Sequence, residues 1–385
     1  MSPSPTDYER AFAAAVGARH AFAFWKGRVA LYAILEGLGV GPGDEIILPG
    51  YTCVMDVNPI MYLGAKPVYV DIEPATYNLD PALLEAKVTS RTRVIIAQHT
   101  YGYPAAMDDI LAVAGRHGIT VIEDCCLSFG STRMGKPVGT FGAASYYSSQ
   151  WSKPYTTGLG GMAATSDDGL AERIGRLRAE RLIAPGRKQT AMLAAQLAVY
   201  RTLIYPRTTA LATMTFRALT RMGLVVGSSN LEEFRPVMAP DFFKGMSRLQ
   251  QRAGLRGLRR AADMMAHRRR IAKLYDELLT ERGWRLPAIP AHLDPVLVRY
   301  PVRVADKARA LAGAAWRFVE LGSWFECPLH PRETPLESYG YHEGMCPVAE
   351  KASREVVNLP THPRVNEKTA RRGVEYLATI GPPAE

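Results

Sequence analysis

The sequence predicts an α/β fold, with a large domain built on a mostly parallel sheet followed by a smaller C-terminal α+β domain. Short apolar runs bounded by Gly, Pro and Asp alternate with amphipathic stretches over the first part of the chain, the pattern of strands joined by crossover helices. A length of 385 residues exceeds what one hydrophobic core usually holds, so two lobes are expected. After Pro287 the order changes to LVRYPVRV, ALAGAAWRFVELG and PVAEKASREVVNLP, read as a strand and two helices.

Residues 7 to 40 read as helix, short strand and helix, with Gly27 and Arg28 at the turn where the second helix begins. The free amides of such a turn bind anions. EIILPGYT and AKPVYVDI read as buried strands, with VMDVNPIMYLG helical between them; RVIIAQHTYG and ITVIEDCC repeat the unit around a helical MDDILAVAGRHG. Residues 245–283 carry apolar positions at helical spacing and a basic opposite face, which predicts one long helix. The expected partition is 1–180 with 240–285 as the large domain, 181–239 as an insertion, and 286–385 as the small domain.

The insertion is the compositional anomaly. Between Arg181 and Leu231 there is no Asp or Glu, while Arg181, Arg187, Lys188, Arg201, Arg207, Arg217 and Arg221 are all basic. MLAAQLAVYRTLIY and TALATMTFRALTRMGLVVG look helical, yet neither is an apolar span of the roughly 20 residues that a membrane crossing needs. Two readings stay open: basic helices of 187–228 lying on an anionic membrane surface, or helices that cover a dimer contact or a site entrance.

Composition is that of an ordinary globular enzyme, 47% hydrophobic and 22% charged. Cys53, Cys125, Cys126, Cys327 and Cys346 show no CxxC spacing, so neither a zinc site nor a disulfide framework is indicated, and a reducing cytoplasm is expected. The N-terminal stretch lacks the basic start and apolar core of a signal peptide. The net charge of +10 is accompanied by no helix-turn-helix, zinc or RNA-binding signature, so nucleic acid is not expected as a partner and no metal site is expected.

The chemistry concentrates between Val121 and Gly161. Val121 and Ile122 lead an apolar run toward Asp124, which places that acid near the carboxyl end of a parallel strand, where α/β sheets bind ligands. SYYSSQWSKPYTTGLGG follows, with Ser148 five residues before Lys153. An acid against a pyridinium nitrogen, a lysine able to form a Schiff base and a serine for a phosphate are the parts that hold pyridoxal 5'-phosphate.

Taken in order, GRVALYAILEGLGVGPGDEIILPGYT, YLGAKPVYVDIEPATYNLDPALLE, HTYGYPAAMDDI, VIEDCCLSFGSTRMGKPVGTFG, the Ser148–Lys153 spacing and PVAEKASREVVNLPTHP resemble the DegT/StrS sugar aminotransferases. These are fold type I pyridoxal-phosphate enzymes of the aspartate-aminotransferase kind. The resemblance implies that Lys153 carries the Schiff base and the transferred proton, Asp124 faces the pyridinium nitrogen, and Ser148 with the Gly27–Arg28 turn holds the phosphate. It also implies a homodimer with sites at the interface, glutamate or glutamine as amino donor, and a ketone on a sugar-like acceptor, in first place a nucleotide-linked keto-deoxysugar. A dehydratase branch has histidine at the lysine position, so Lys153 favours amino transfer. A cyclitol, polyketide or lipid-linked ketone stays open, as does a non-catalytic cofactor-binding regulator or scaffold.

Four positions depart from the pattern. Cys53 stands where an aromatic residue commonly stacks on the cofactor ring, and Leu127 where a Gln or His is usual. Asp241–Ser247 replaces GYNYRMS, with Phe243 and Gly245 where the cross-dimer Asn and Arg would be, and Arg28 replaces a threonine. Arg28, a bidentate phosphate donor, is read either as standing in for the cross-dimer group that Phe243 replaces or as a surface residue. On the substrate side His99, Tyr101 and His330 are candidates, with packing or positioning as the alternative for His99, and core burial for Tyr101 and Trp151. Cys125 and Cys126 are read as small buried residues rather than nucleophiles.

Overall fold

The computed structural model describes residues 5–151, 153–203 and 231–383. The second apolar stretch of the insertion, 209–227, and Arg207, Arg217 and Arg221 lie outside the described residues. Helix α1 (Asp7–Val16) leads into strand β1 (His20–Phe24) and α2 (Gly27–Gly37). Next come β2 (Glu45–Pro49), β3 (Thr52–Cys53), α3 (Val54–Tyr62), β4 (Lys66–Val70), β5 (Thr92–Gln98), α4 (Met107–His117) and β6 (Thr120–Asp124). Short strands β7 (Thr132–Arg133) and β8 (Lys136–Pro137) precede β9 (Ala144–Ser148), β10 (Gly161–Thr165), α5 (Asp168–Arg181) and α6 (Arg187–Leu203). Beyond the insertion lie α7 (Arg248–Leu258), α8 (Ala261–Glu281), β11 (Leu293–Asp294), β12 (Arg299–Arg303) and α9 (Lys307–Trp316). The chain closes with β13 (Leu329–His330), α10 (Pro347–Glu355), β14 (Val356–Pro360) and α11 (Glu367–Ala378).

Seven strands form the main sheet in the order β1-β10-β9-β6-β5-β2-β4. Pairings from β4 through β9 are parallel, and β10 and β1 extend the sheet antiparallel. Parallel strands with helices on both faces read as near-continuous apolar runs, and β2 is buried at every position. Helix α2 is buried from Gly27 through Leu35, because it packs on β9, β10, α3 and α5 at once. A separate antiparallel pair, β12 with β14, anchors the C-terminal lobe, and β13 runs parallel to β3.

Two expectations are corrected. The long helix of 245–283 is two helices: α7 begins at a Ser247–Gln250 capping box, and the chain leaves helical geometry at Arg260, which lets α8 turn to pack on α11. PVAEKASREVVNLP is a helix only to Glu355. Val356 and Val357, β-branched, pair with Arg303 and Val302 as a strand, so packing partners override the helical spacing.

Candidate active site

Three neighbouring chain ends build the site. Strands β6 and β9 are parallel partners, so Asp124 and Ser148 emerge at the same edge of the sheet. Helix α2 starts beside them. Its N-cap, Lys26, makes no side-chain capping bond, which leaves the first amides available to an acceptor from outside the helix. Gly27 explains how closely the turn approaches: a Cβ there would lie 3.3 Å from both Ser148 Cβ and Tyr147 O. A side chain there would require Ser148 or the turn to give by a few tenths of an ångström.

Lys153 sits in the loop between β9 and β10, buried, with its amide donating to Gln150 O at 3.1 Å. Its Nζ lies 4.9 Å from the centroid of the Trp324 ring. Asp124 Oδ1 accepts from the Cys126 amide at 2.8 Å. A second acid, Asp56 of α3, shares this space. Burial pushes its carboxyl up to about 7; the charge of Asp124 adds to the shift, and that of Lys153 opposes it. Nothing in the linear motif singles out Asp56, although an acid inside the apolar VMDVNPIMY was a visible anomaly.

Cys53, at the end of β3, pairs in register with His330 of β13. Burial, reinforced by Asp56, pushes the Cys53 thiol up to about 12, and burial holds the Cys126 thiol well above its ordinary value. Both are therefore neutral, soft surfaces flanking the site. Leu127 is buried in the main core cluster.

The three substrate-side candidates differ. His99 is fully enclosed: Nδ1 accepts from the Ala105 amide at 2.9 Å and Nε2 faces Glu123 at 3.0 Å, so both ring nitrogens are occupied by the protein. The ligand atoms of His99, Glu123 and Cys125 lie within 4.8 Å of one another, but Glu123 already accepts from the amides of Gly139, Phe141 and Gly142. Tyr101 is also enclosed, with its hydroxyl 2.9 Å from that of Tyr51. His330 is half-buried, beside Trp324 and Phe325.

Arg28 turns to Glu233, which comes from the far flank of the insertion. Glu233 takes Arg28 Nη1 at 2.7 Å and Lys26 Nζ at 2.9 Å, and Asn58 Nδ2 holds its backbone carbonyl at 2.7 Å. Burial, with Arg28 nearby, lowers Lys26 to about 8, and Glu233 offsets part of that. Phe243 packs within its own chain, 5.6 Å from Phe24 and 5.9 Å from Tyr32. Helix α6 likewise turns Leu193 and Leu197 inward onto Trp25 and Leu159. No helix among the described residues is long and apolar enough to cross a membrane.

The profile of the DegT/DnrJ/EryC1/StrS aminotransferase family matches residues 1–378. The chain belongs to that family. GDP-perosamine synthase of Caulobacter vibrioides is 30% identical over 377 residues, 97% of this chain and 89% of that protein. L-glutamine:scyllo-inosose aminotransferase of Streptomyces griseus is 44% identical over 177 residues, 45% of this chain and 42% of that protein. The solved structure of DesV from S. venezuelae superposes with a TM-score of 0.75 at 25% identity, covering 98% of this chain and 89% of that one. As a member of the DegT/DnrJ/EryC1/StrS aminotransferases the protein is a pyridoxal-phosphate-dependent transaminase. The site fits that cofactor: amides without a side-chain cap at the head of α2, set close against Ser148 with a glycine at the contact, suit a phosphate group.

Proposed function

We propose that the protein moves an amino group from glutamate or glutamine to the ketone of a sugar-like acceptor, in first place a nucleotide-linked keto-deoxysugar. The observation that carries the reading is the convergence of Asp124, Ser148, the Gly27–Arg28 turn and buried Lys153 at one sheet edge. When bound, the cofactor supplies an electron sink that acidifies the carbon bearing the amine. Lys153 Nζ then serves as the amine that anchors the group and as the base that carries the proton between carbons. Asp124 holds the proton of the ring nitrogen, and the amides of Gly27 and Arg28 with Ser148 take the phosphate. Cys53 and Leu127 supply apolar contact around the ring. His330, on the open side, is the substrate contact this reading favours, with Tyr101 positioning Trp324 through its hydrogen bond to the Trp324 carbonyl.

A cyclitol ketone is the second reading, supported by the higher identity to the scyllo-inosose enzyme over the part that aligns. We further propose a homodimer, as the family resemblance implies, and a cytoplasmic location, the latter supported by the five free cysteines. Of the stretch 187–228, the described part, α6, is assigned to covering the site rather than to a membrane: its Tyr200 donates to the Trp151 carbonyl at 2.9 Å, next to the Lys153 loop. The test is the visible spectrum of the purified protein before and after glutamate or glutamine, with Lys153→Ala alongside. Wild type should show the absorbance of lysine-bound cofactor and lose it on addition of donor. Lys153→Ala should lack that band and all turnover while still binding some cofactor. A wild type inert to every donor would sink the reading.

A further inference from the structure

Helix α9 ends in a left-handed cap. The Phe318 amide donates to Ala315 O at 3.2 Å and the Val319 amide to Ala314 O at 2.9 Å, with Phe318 at φ 52°. This pattern of bonds favours glycine at the residue of positive φ, because a side chain there strains the backbone. Here the residue is phenylalanine, and burial of its ring does not offset the strain: Phe318 is 61% exposed and Trp316, two residues earlier, 87%. Trp316 is the most exposed large apolar side chain among the described residues. Apolar residues scattered singly over a surface need no account, but two aromatic rings held out at one strained turn do.

Arginines surround this turn. Arg317 lays its guanidinium over the Tyr376 ring, with Cζ 5.5 Å from the centroid, and Arg372 of α11 donates to the Arg317 carbonyl. Burial raises the Tyr376 hydroxyl, and the charges of Arg317 and Arg309 oppose that rise, so Arg309 belongs to the same cluster. All three arginines are exposed, and among the described residues none of them is in an ion pair. The acids nearest in the chain are engaged elsewhere. Asp306 caps α9, Glu320 pairs with His362 at 3.1 Å, Glu367 pairs with Arg371 at 2.7 Å, and Glu375 also acts on Arg371. Charge decides what such a patch can meet. A second copy of a chain of net charge +10 is repelled from it, and the insertion has no Asp or Glu between Arg181 and Leu231 to offer. A surface of clustered phosphates over an apolar layer meets both halves of the patch: arginines take the phosphates, and the indole and phenyl rings lodge at headgroup level.

We propose that Trp316 and Phe318, with Arg309, Arg317 and Arg372 around them, form a docking surface for an anionic phospholipid bilayer. The surface is independent of the role of Lys153. It is tested by flotation of the holoenzyme with vesicles of phosphatidylcholine alone and of phosphatidylcholine with phosphatidylglycerol. Wild type should float with the anionic vesicles, release as salt is raised, and stay behind with the neutral ones. Trp316→Ser combined with Phe318→Gly should abolish flotation. Arg309→Gln combined with Arg372→Gln should weaken it by about 25-fold, at about fivefold for each arginine, and this pair serves if the aromatic pair fails to fold. The melting temperature of Phe318→Gly alone should hold or rise, because glycine takes the left-handed cap without strain. A fall would show that the ring packs within the fold, which overturns the proposal. A wild type that floats with neither vesicle, or equally with both, overturns it as well, and so do variants that keep the cofactor absorbance and float as wild type does. Sedimentation velocity without vesicles covers the remaining occupant: self-association that the aromatic pair abolishes, in a wild type that does not float, would assign the patch to a contact between copies and refute the lipid surface.

Discussion

Asp56 offers a quantitative handle on the electrostatics of the site. Thr52 Oγ1 lies 2.6 Å from Gln98 Oε1 and 3.1 Å from Asp56 Oδ2. The Gln98 amide nitrogen already donates to Tyr51 O and Thr100 Oγ1, which fixes Oε1 as an acceptor. One hydroxyl proton cannot serve two acceptors, so when Thr52 donates to Gln98 the bond to Asp56 requires a proton on the carboxyl. Burial first, and then the Asp124 charge, place that protonation at about 7 against an ordinary 3.8. A folded-state value above the unfolded one means that the native state binds the proton more tightly. This group's penalty on stability is therefore absent below about pH 4 and grows as pH rises toward 7. A rise from 3.8 to about 7 corresponds to about 4 kcal/mol at the plateau, of which more than half develops between pH 5 and pH 8. Asp56→Asn keeps a donor for Thr52 and an acceptor for the Tyr146 hydroxyl, which lies 3.1 Å from Asp56 Oδ1. Urea unfolding of cofactor-free wild type and variant at both pH values should show the variant gaining that difference at pH 8. Parallel pH dependences, or a variant less stable at pH 8, would refute the protonated-carboxyl argument.

Two further outcomes follow from the turn proposed to hold the phosphate. Gly27→Ala brings a methyl to 3.3 Å from Ser148 Cβ and Tyr147 O, so cofactor affinity measured by absorbance titration should fall by about tenfold. Its folding stability should change by less than about 1 kcal/mol, because alanine's helix propensity offsets the crowding. Glu233→Gln leaves Lys26 and Arg28 facing each other without their shared carboxylate, in a partly exposed site. The cofactor-free protein should lose about 2 kcal/mol in chemical denaturation at neutral pH, and inorganic phosphate should restore part of it. No change in stability would mean that the Glu233 carboxylate contributes nothing.

What the sequence made legible was whatever the chain places at short range on one sheet edge. Asp124 and Ser148 end strands that are neighbours in the sheet and Lys153 lies in the loop that follows, so motif spacing and the alternation of strand and helix were enough to bring them together. The Gly27 turn was legible for a similar reason, since a glycine at a helix start with no capping side chain carries its own geometry. Asp56, Trp324 and Glu233 were not legible from motif spacing. Each is placed by contacts that sequence spacing does not encode: Asp56 by the Thr52 and Tyr146 hydroxyls, Trp324 by the Tyr101 hydroxyl on its carbonyl, and Glu233 by the return of the insertion's flank to Asn58.

The departures from the family pattern also acquire physical meaning only in three dimensions. Phe243, which stands where the family has a cross-dimer group, completes an aromatic cluster with Phe24 and Tyr32, and Phe24 leads directly into the turn that carries Gly27. Arg28, read as a phosphate donor, is held by a carboxylate from the far flank of the insertion. The head of α2 is thus packed from one side by residue 243 and neutralised from another by residue 233. Both side chains come from the segment that follows the compositional anomaly. Glu233 and the altered motif therefore bear on one place, the head of α2 that is proposed to take the phosphate, and changes in either should appear first in cofactor affinity rather than in the chemistry proposed for Lys153.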